Sequence, residues 1–124
     1  MAESLTAEEL ASYRAGTARR RHAVARSRRE HWERAQRVAR QAAAVLRTEF
    51  SATRVVVFGS GTSPARFGLS SDLDLAAWGI DERRYLKAVA RLLDIDPELQ
   101  VDLVAVEEAP AALRVTIETE GVEL

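Results

Sequence analysis

The chain has 124 residues, no cysteine and a formal net charge of −1, with 47% hydrophobic and 30% charged residues, the balance of a folded domain rather than a disordered chain. The missing cysteine excludes a disulfide scaffold and a thiolate metal centre. No run approaches the roughly 18 apolar residues of a membrane span, and residues 1 to 10 are polar and acidic where a signal peptide has a basic start, so a soluble, cytoplasmic protein with no membrane partner is expected.

Thr6 and Glu9 have the spacing of a capping box, with Leu5 and Leu10 placed as a hydrophobic staple, so a helix is expected to start there. No proline follows until after Phe50, and Gly16 is the one glycine in that run, so about 44 residues can continue as helix over roughly 65 Å. The apolar stripe comprises Leu10, Tyr13, Val24, Trp32, Ala35, Val38, Ala39, Ala42, Val45, Leu46 and Phe50, and it is dense only from Trp32 onward. Residues 32 to 50 are therefore expected to pack on the domain, with residues 1 to 31 a basic helical extension that projects, bends at Gly16 or folds back as a hairpin arm. Trp32 and Tyr13 read as packing residues. His22 and His31, nine apart, fall on opposite faces and read as surface or interface residues rather than a metal pair.

Charge divides the chain. Residues 14 to 54 hold twelve Arg against three Glu, whereas residues 55 to 124 hold six Lys or Arg against thirteen Asp or Glu. The basic stretch from Arg19 to Arg40 has no interleaved aromatic platform, so it reads as a solvated face or a site for an acidic protein partner, and direct nucleic-acid contact is not expected. A helix this long also suits homo- or hetero-oligomer contacts.

Residues 54 to 58, Arg-Val-Val-Val-Phe, form a β-branched strand signal ended by Gly59. A glycine- and serine-containing loop follows to Ser71, and residues 72 to 78 then alternate polar and apolar as a second strand. Asp81 is placed to cap a helix from about residue 82 to 93, whose buried face is expected to be Leu86, Val89, Ala90 and Leu93. Residues 101 to 106 are a third strand with Asp102 as its one charge. Pro110 opens a last helix containing Leu113 and Ile117, Gly121 ends it, and Val122 and Leu124 are placed for a short edge strand. The expected class is α+β: a small mixed sheet of three to four strands with flanking helices, nucleotidyltransferase-like, with the helices covering one face and a long N-terminal helix in front. Residues 32–124 form the domain.

Residues two apart in a strand project from one face, which places Asp72 and Asp74 together, roughly 6–7 Å apart, while Leu73 and Leu75 enter the core. Asp102, between Val101 and Leu103, is placed to join that face from a neighbouring strand, where an unpaired buried carboxylate would be costly. Three converging carboxylates repel unless a cation lies between them, and hard oxygen donors suit Mg²⁺ or Mn²⁺ together with substrate phosphates. Gly59-Ser60 directly after a strand offers backbone N–H groups and a hydroxyl to phosphates. No Gly-Lys-Ser/Thr or Gly-x-Gly-x-x-Gly follows, which excludes the Walker A and dinucleotide loops. Trp78, ending the second strand, is a candidate to stack a base, with rim packing favoured.

Gly59-Ser60, ten intervening residues to Ser71, then Asp72-Leu73-Asp74-Leu75 and a later strand bearing Asp102, resemble the DNA polymerase β-like nucleotidyltransferase superfamily. Within it the likeness is to minimal nucleotidyltransferase, or MntA-like, antitoxins, over about residues 37–124. The resemblance implies a nucleotide-binding turn at Gly59 and Ser60, with Asp72, Asp74 and Asp102 as the catalytic and metal-holding triad, Mg²⁺ as cofactor and ATP as substrate. It further implies a HEPN-domain toxin partner from an adjacent gene, with AMP transferred to a tyrosine of that toxin. The family's Ala-Arg-Gly is replaced here by Thr62-Ser63-Pro64, so Arg66 is the candidate to restore the lost charge, with Ser71 beside it at the nucleotide. A catalytically degenerate antitoxin that neutralises its partner by binding alone, and a nucleic-acid-binding regulator using the basic helix, are the alternatives.

Overall fold

A computed structural model describes residues 4–124. Its elements are α1 (Ala7–Phe50), β1 (Arg54–Phe58), β2 (Leu73–Trp78), α2 (Tyr85–Leu93), β3 (Val101–Ala105), α3 (Ala111–Glu120) and β4 (Val122–Glu123). The sheet runs β3-β2-β1-β4, with β1 antiparallel to β2 and β4, and β2 parallel to β3. The expected α+β class, mixed sheet and edge strand are all present.

The helix α1 starts where the capping box places it: Thr6 Oγ1 accepts from Glu9 N–H, and the Glu9 carboxylate accepts from Thr6 N–H. It then continues unbroken for 44 residues, so neither a hairpin arm nor a break at Gly16 forms. Ala35, Val38, Ala39, Ala42, Ala43, Leu46 and Phe50 are its buried residues, all after Trp32. Small alanines at four of these positions let the helix backbone approach the sheet closely.

Strand alternation divides the core in two. Val55, Val57, Leu73, Leu75, Ala77, Val101 and Leu103 face α1 and α2, while Val56, Phe58, Ala76 and Val106 pack with Ile117 of α3. Helices therefore flank both faces, which corrects the expectation that they cover one. The short α3 folds back across the second face because Pro110 and the turn before it redirect the chain after β3, and Gly121 N–H bonds to Ile117 O as the helix ends.

Two further expectations are corrected. In α2 the buried stripe is Ala88 and Leu92 with Tyr85 and Val89 partly covered, whereas Leu86 is 77% exposed and Leu93 42%. Both sets have helical spacing, so periodicity alone does not choose between them. Tyr85 decides it: its ring packs against the core and its hydroxyl donates to Leu103 O at 2.6 Å. Tyr13 is not a packing residue, since the helix has run past the sheet at that point and leaves it 64% exposed.

The direction of α1 matters for the site. Its C-terminal end turns through Ser51 (φ 59°) into β1, while Trp32 and Gln36 both reach Gly61 just beyond the other end of that strand. The helix thus runs antiparallel to β1, and residues 7–31 continue beyond the edge where β1 ends and β2 and β3 begin. At 1.5 Å per residue that overhang is about 37 Å long.

Candidate active site

Asp74 and Asp102 are register partners on the parallel strands β2 and β3, and Phe58 opposes Asp74 from β1. Since Leu73 and Leu75 point toward α1 and α2, Asp74 projects from the opposite face, beyond the part that α3 covers. Asp72 lies just before β2 and is exposed. Asp102 is exposed too, with Gln100 Nε2 donating to its Oδ1 at 3.2 Å. The burial penalty expected at Asp102 falls instead on Asp74, because β3 is an edge strand and β2 is not. Burial raises the Asp74 carboxyl above its ordinary range, and the neighbouring Asp102 and Asp72 charges raise it further.

The turn after β1 fits against this carboxylate. Gly59 adopts φ +69°, and a Cβ there would lie 2.9 Å from Asp74 Oδ2. Both its conformation and its space thus exclude a side chain. Residues Gly59–Thr62 form a short 3₁₀ turn, in which Thr62 Oγ1 donates to Gly59 O at 2.8 Å. Ser60 is half-buried within it.

Four contacts that the sequence did not disclose hold this loop in place. Trp32 Nε1 and Gln36 Nε2 donate to Gly61 O at 3.0 and 2.8 Å, one helical turn apart on α1. His31 stacks on the buried Phe67 ring with centroids 5.0 Å apart, its Nε2 enclosed without a hydrogen-bond partner, so it is a packing residue rather than a surface one. Arg28 reaches Ala65 O at 3.4 Å. The period of α1 marked Trp32 as core-facing, but only the fold shows that its indole N–H serves the turn.

The remaining candidates are dispersed. Ser71 Oγ accepts from Gly68 N–H at 2.8 Å, closing the far end of the loop, and Arg66 is exposed on it. Trp78 sits at the opposite end of β2 from Asp74, under the Arg54 guanidinium at 4.3 Å and against the α3 cluster, so it is a rim residue and not a base platform.

The donor chemistry, carboxylate oxygens only, is of the kind a hard divalent cation takes; the Asp74 carboxyl is raised chiefly by burial and then by the Asp102 and Asp72 charges. Among the described residues, no three His, Cys, Asp or Glu come together closely enough to hold a metal ion, so the expected convergence of Asp72, Asp74 and Asp102 is not met: Asp74 and Asp102 share a register position, while Asp72 lies before the strand.

No protein-family model matches the chain, and no curated protein matches it. Solved structures do. A minimal nucleotidyltransferase superposes with a TM-score of 0.59 at 28% identity, covering 75% of this chain and 95% of that one. The chain has the minimal nucleotidyltransferase fold. Two toxin–antitoxin structures share this fold. One is the tri-AMPylated HEPN toxin of Shewanella oneidensis in complex with its MNT antitoxin, with a TM-score of 0.55, 20% identity and coverage of 72% of this chain and 70% of that one. The other, a toxin–antitoxin with AMP-PNP, gives a TM-score of 0.56 at 20% identity, covering 67% and 69%. The fold implied by Gly59-Ser60 and Asp72-Leu73-Asp74 is therefore the fold observed. Within a minimal nucleotidyltransferase fold, the shared face of β2 and β3 beside the turn after β1 is where Asp74, Asp102 and Gly59 meet.

Proposed function

We propose that this chain is a nucleotidyltransferase antitoxin that transfers AMP from ATP to a tyrosine hydroxyl of a HEPN-domain toxin encoded beside it. The observation that carries the reading is the pairing of Asp74 with Asp102 across two parallel strands, with a glycine turn fitted against Asp74. Two structures of the same fold, an AMPylated HEPN toxin with its MNT antitoxin and a toxin–antitoxin with AMP-PNP, support the chemistry.

In this reading Asp72, Asp74 and Asp102 hold Mg²⁺ or Mn²⁺. The bound ion would neutralise charge developing on the phosphates and lower the pKa of the acceptor hydroxyl. The backbone N–H groups around Gly59 and the Ser60 hydroxyl cradle the β- and γ-phosphates, Arg66 adds positive charge from the loop, and Ser71 fixes the loop's end. The tyrosine oxygen attacks the α-phosphorus, its proton passing to the Asp102 carboxylate. The new O–P bond forms as the bond bridging the α- and β-phosphates breaks, and pyrophosphate leaves. The small domain leaves this face open, so the partner protein supplies the other wall of the cleft.

A second reading has its own support. Thr62-Ser63-Pro64 lack the glycine freedom and arginine charge of the family loop, and the carboxylates do not form a closed ligand set. A binding-only antitoxin would keep the fold and mask its partner without modifying it.

Incubating the protein with ATP, Mg²⁺ and its HEPN partner, then weighing the partner by mass spectrometry, separates the two. A gain of AMP that disappears in the Asp72→Asn, Asp74→Asn double variant supports transfer. An unmodified partner in a stable complex overturns transfer in favour of masking.

A further inference from the structure

The overhang of α1 has a face. Leu10, Tyr13 and Val24 lie at helical spacing in line with the buried Ala35, Val38 and Ala42, so a sparse apolar seam, with the hydrogen-bonded Thr17 between, continues the helix stripe that packs on the sheet. Arg28, on the same stripe, already contacts the loop at Ala65. Beyond it the seam overhangs the end of the domain where Asp74 and Asp102 lie, with Tyr13 64% and Val24 50% exposed. Residues 10–29 carry seven Arg and no Asp or Glu. Helical spacing places Arg20 on one flank of the seam and Arg14 and Arg21 on the other.

We infer that this arm is the docking element for the macromolecule acted on at the carboxylate site, and that its occupant is an acidic amphipathic helix on the surface of that protein. An apolar seam with charged flanks selects its partner helix by the sign of the flanking charges. With seven Arg against Glu8, Glu9 and Glu30, the arm is net positive, which opposes pairing with a second copy of itself. A nucleic acid would use the arginines but leave the Leu10, Tyr13 and Val24 seam without purpose, so binding to it is not expected to depend on Val24. The geometry adds a functional consequence: a protein gripped by the arm is held over the open end of the sheet, raising its effective concentration at Asp74 and Asp102.

The inference takes its partner from the proposed transfer reaction, so the test separates the two. The full-length chain is compared with two variants, Arg14→Glu/Arg20→Glu/Arg21→Glu and Tyr13→Ala/Val24→Ala, all confirmed helical by circular dichroism. Affinity for the HEPN partner is measured by calorimetry at two salt concentrations, and affinity for a 20-nucleotide RNA by fluorescence anisotropy. Both variants are expected to bind the partner at least about tenfold more weakly, and the arginine variant alone is expected to lose the salt dependence. AMP transfer, where it occurs, should show a raised KM for the partner with kcat unchanged at saturation. Partner affinities within a factor of about two of the parent chain would overturn the inference. So would RNA binding tighter than partner binding. Arm-dependent binding of an unmodified partner would overturn the transfer reading and leave the docking inference standing.

Discussion

Asp74 and Asp102 occupy the same register position on adjacent parallel strands, one half-buried and the other exposed. That difference makes Asp74 the strained member of the pair. Its carboxyl is raised chiefly by burial, then by Asp102 and Asp72. A carboxyl raised in the folded state binds its proton more tightly there than in the unfolded chain. Stability therefore falls as pH rises from the unfolded value through the raised folded one, and stays reduced above it. Asp74→Asn is expected to raise Tm at neutral pH, with the gain disappearing at acid pH where the parent residue is protonated. Paired melting curves from pH 3.5 to 8 check this, and a lower Tm for the variant at neutral pH would contradict it.

Gly59 is constrained twice, by its positive φ and by Asp74 Oδ2 at 2.9 Å from where a Cβ would sit. Gly59→Ala should cost about 1–2 kcal/mol from the left-handed conformation alone and push the Asp74 side chain aside. Denaturant melts give the stability loss. Nucleotide binding measured alongside should weaken more than for Gly68→Ala, since a Cβ at position 68 meets only Ser71 Oγ at 3.5 Å.

Gly61 O accepts from both Trp32 and Gln36. Trp32→Phe or Gln36→Ala alone leaves one donor in place and should cost roughly 0.5–1.5 kcal/mol. The double variant leaves the carbonyl without a side-chain donor and should release the turn. Amide exchange at residues 59–62 should then rise sharply in the double variant and little in either single one.

Arg34 clasps the buried Asp96 through two bonds of 2.6 and 2.8 Å and also reaches Glu98 at 3.2 Å. The Arg34 hydrogen bonds hold the Asp96 carboxyl below its ordinary range. A depressed folded value contributes stability that is present above the unfolded carboxylate pKa and lost as pH falls through the folded one. Asp96→Asn should lower Tm at neutral pH, and the gap to the parent chain should close in strong acid, opposite in sign to Asp74→Asn.

Much of this was legible in the sequence. The capping box marked the start of α1, a β-branched run marked β1, polar–apolar alternation marked β2, and Asp72-Leu73-Asp74 after Gly59-Ser60 pointed to the fold. What escaped has a common cause. Gly61 with Trp32, Phe67 with His31, and Asp96 with Arg34 are each joined across 29 or more positions. Periodicity reports which side of an element is apolar but not what lies opposite. The α2 face is another such case: Leu86 and Leu93 have the right spacing, but the packed side is that of Ala88, Leu92 and Tyr85, whose hydroxyl donates to Leu103 O. The burial of Asp74 rather than Asp102 likewise depends on strand order, which places β3 at the edge.

In the proposed function, the carboxylates at positions 72, 74 and 102 take up a cation together with the nucleotide. Electron paramagnetic resonance of free Mn²⁺ during titration with the full-length protein and AMP-PNP tests it most directly. Nucleotide-dependent Mn²⁺ uptake is expected, lost in Asp74→Asn and weakened in Asp102→Asn. Absence of uptake by the parent chain, or uptake unchanged in both variants, would contradict it.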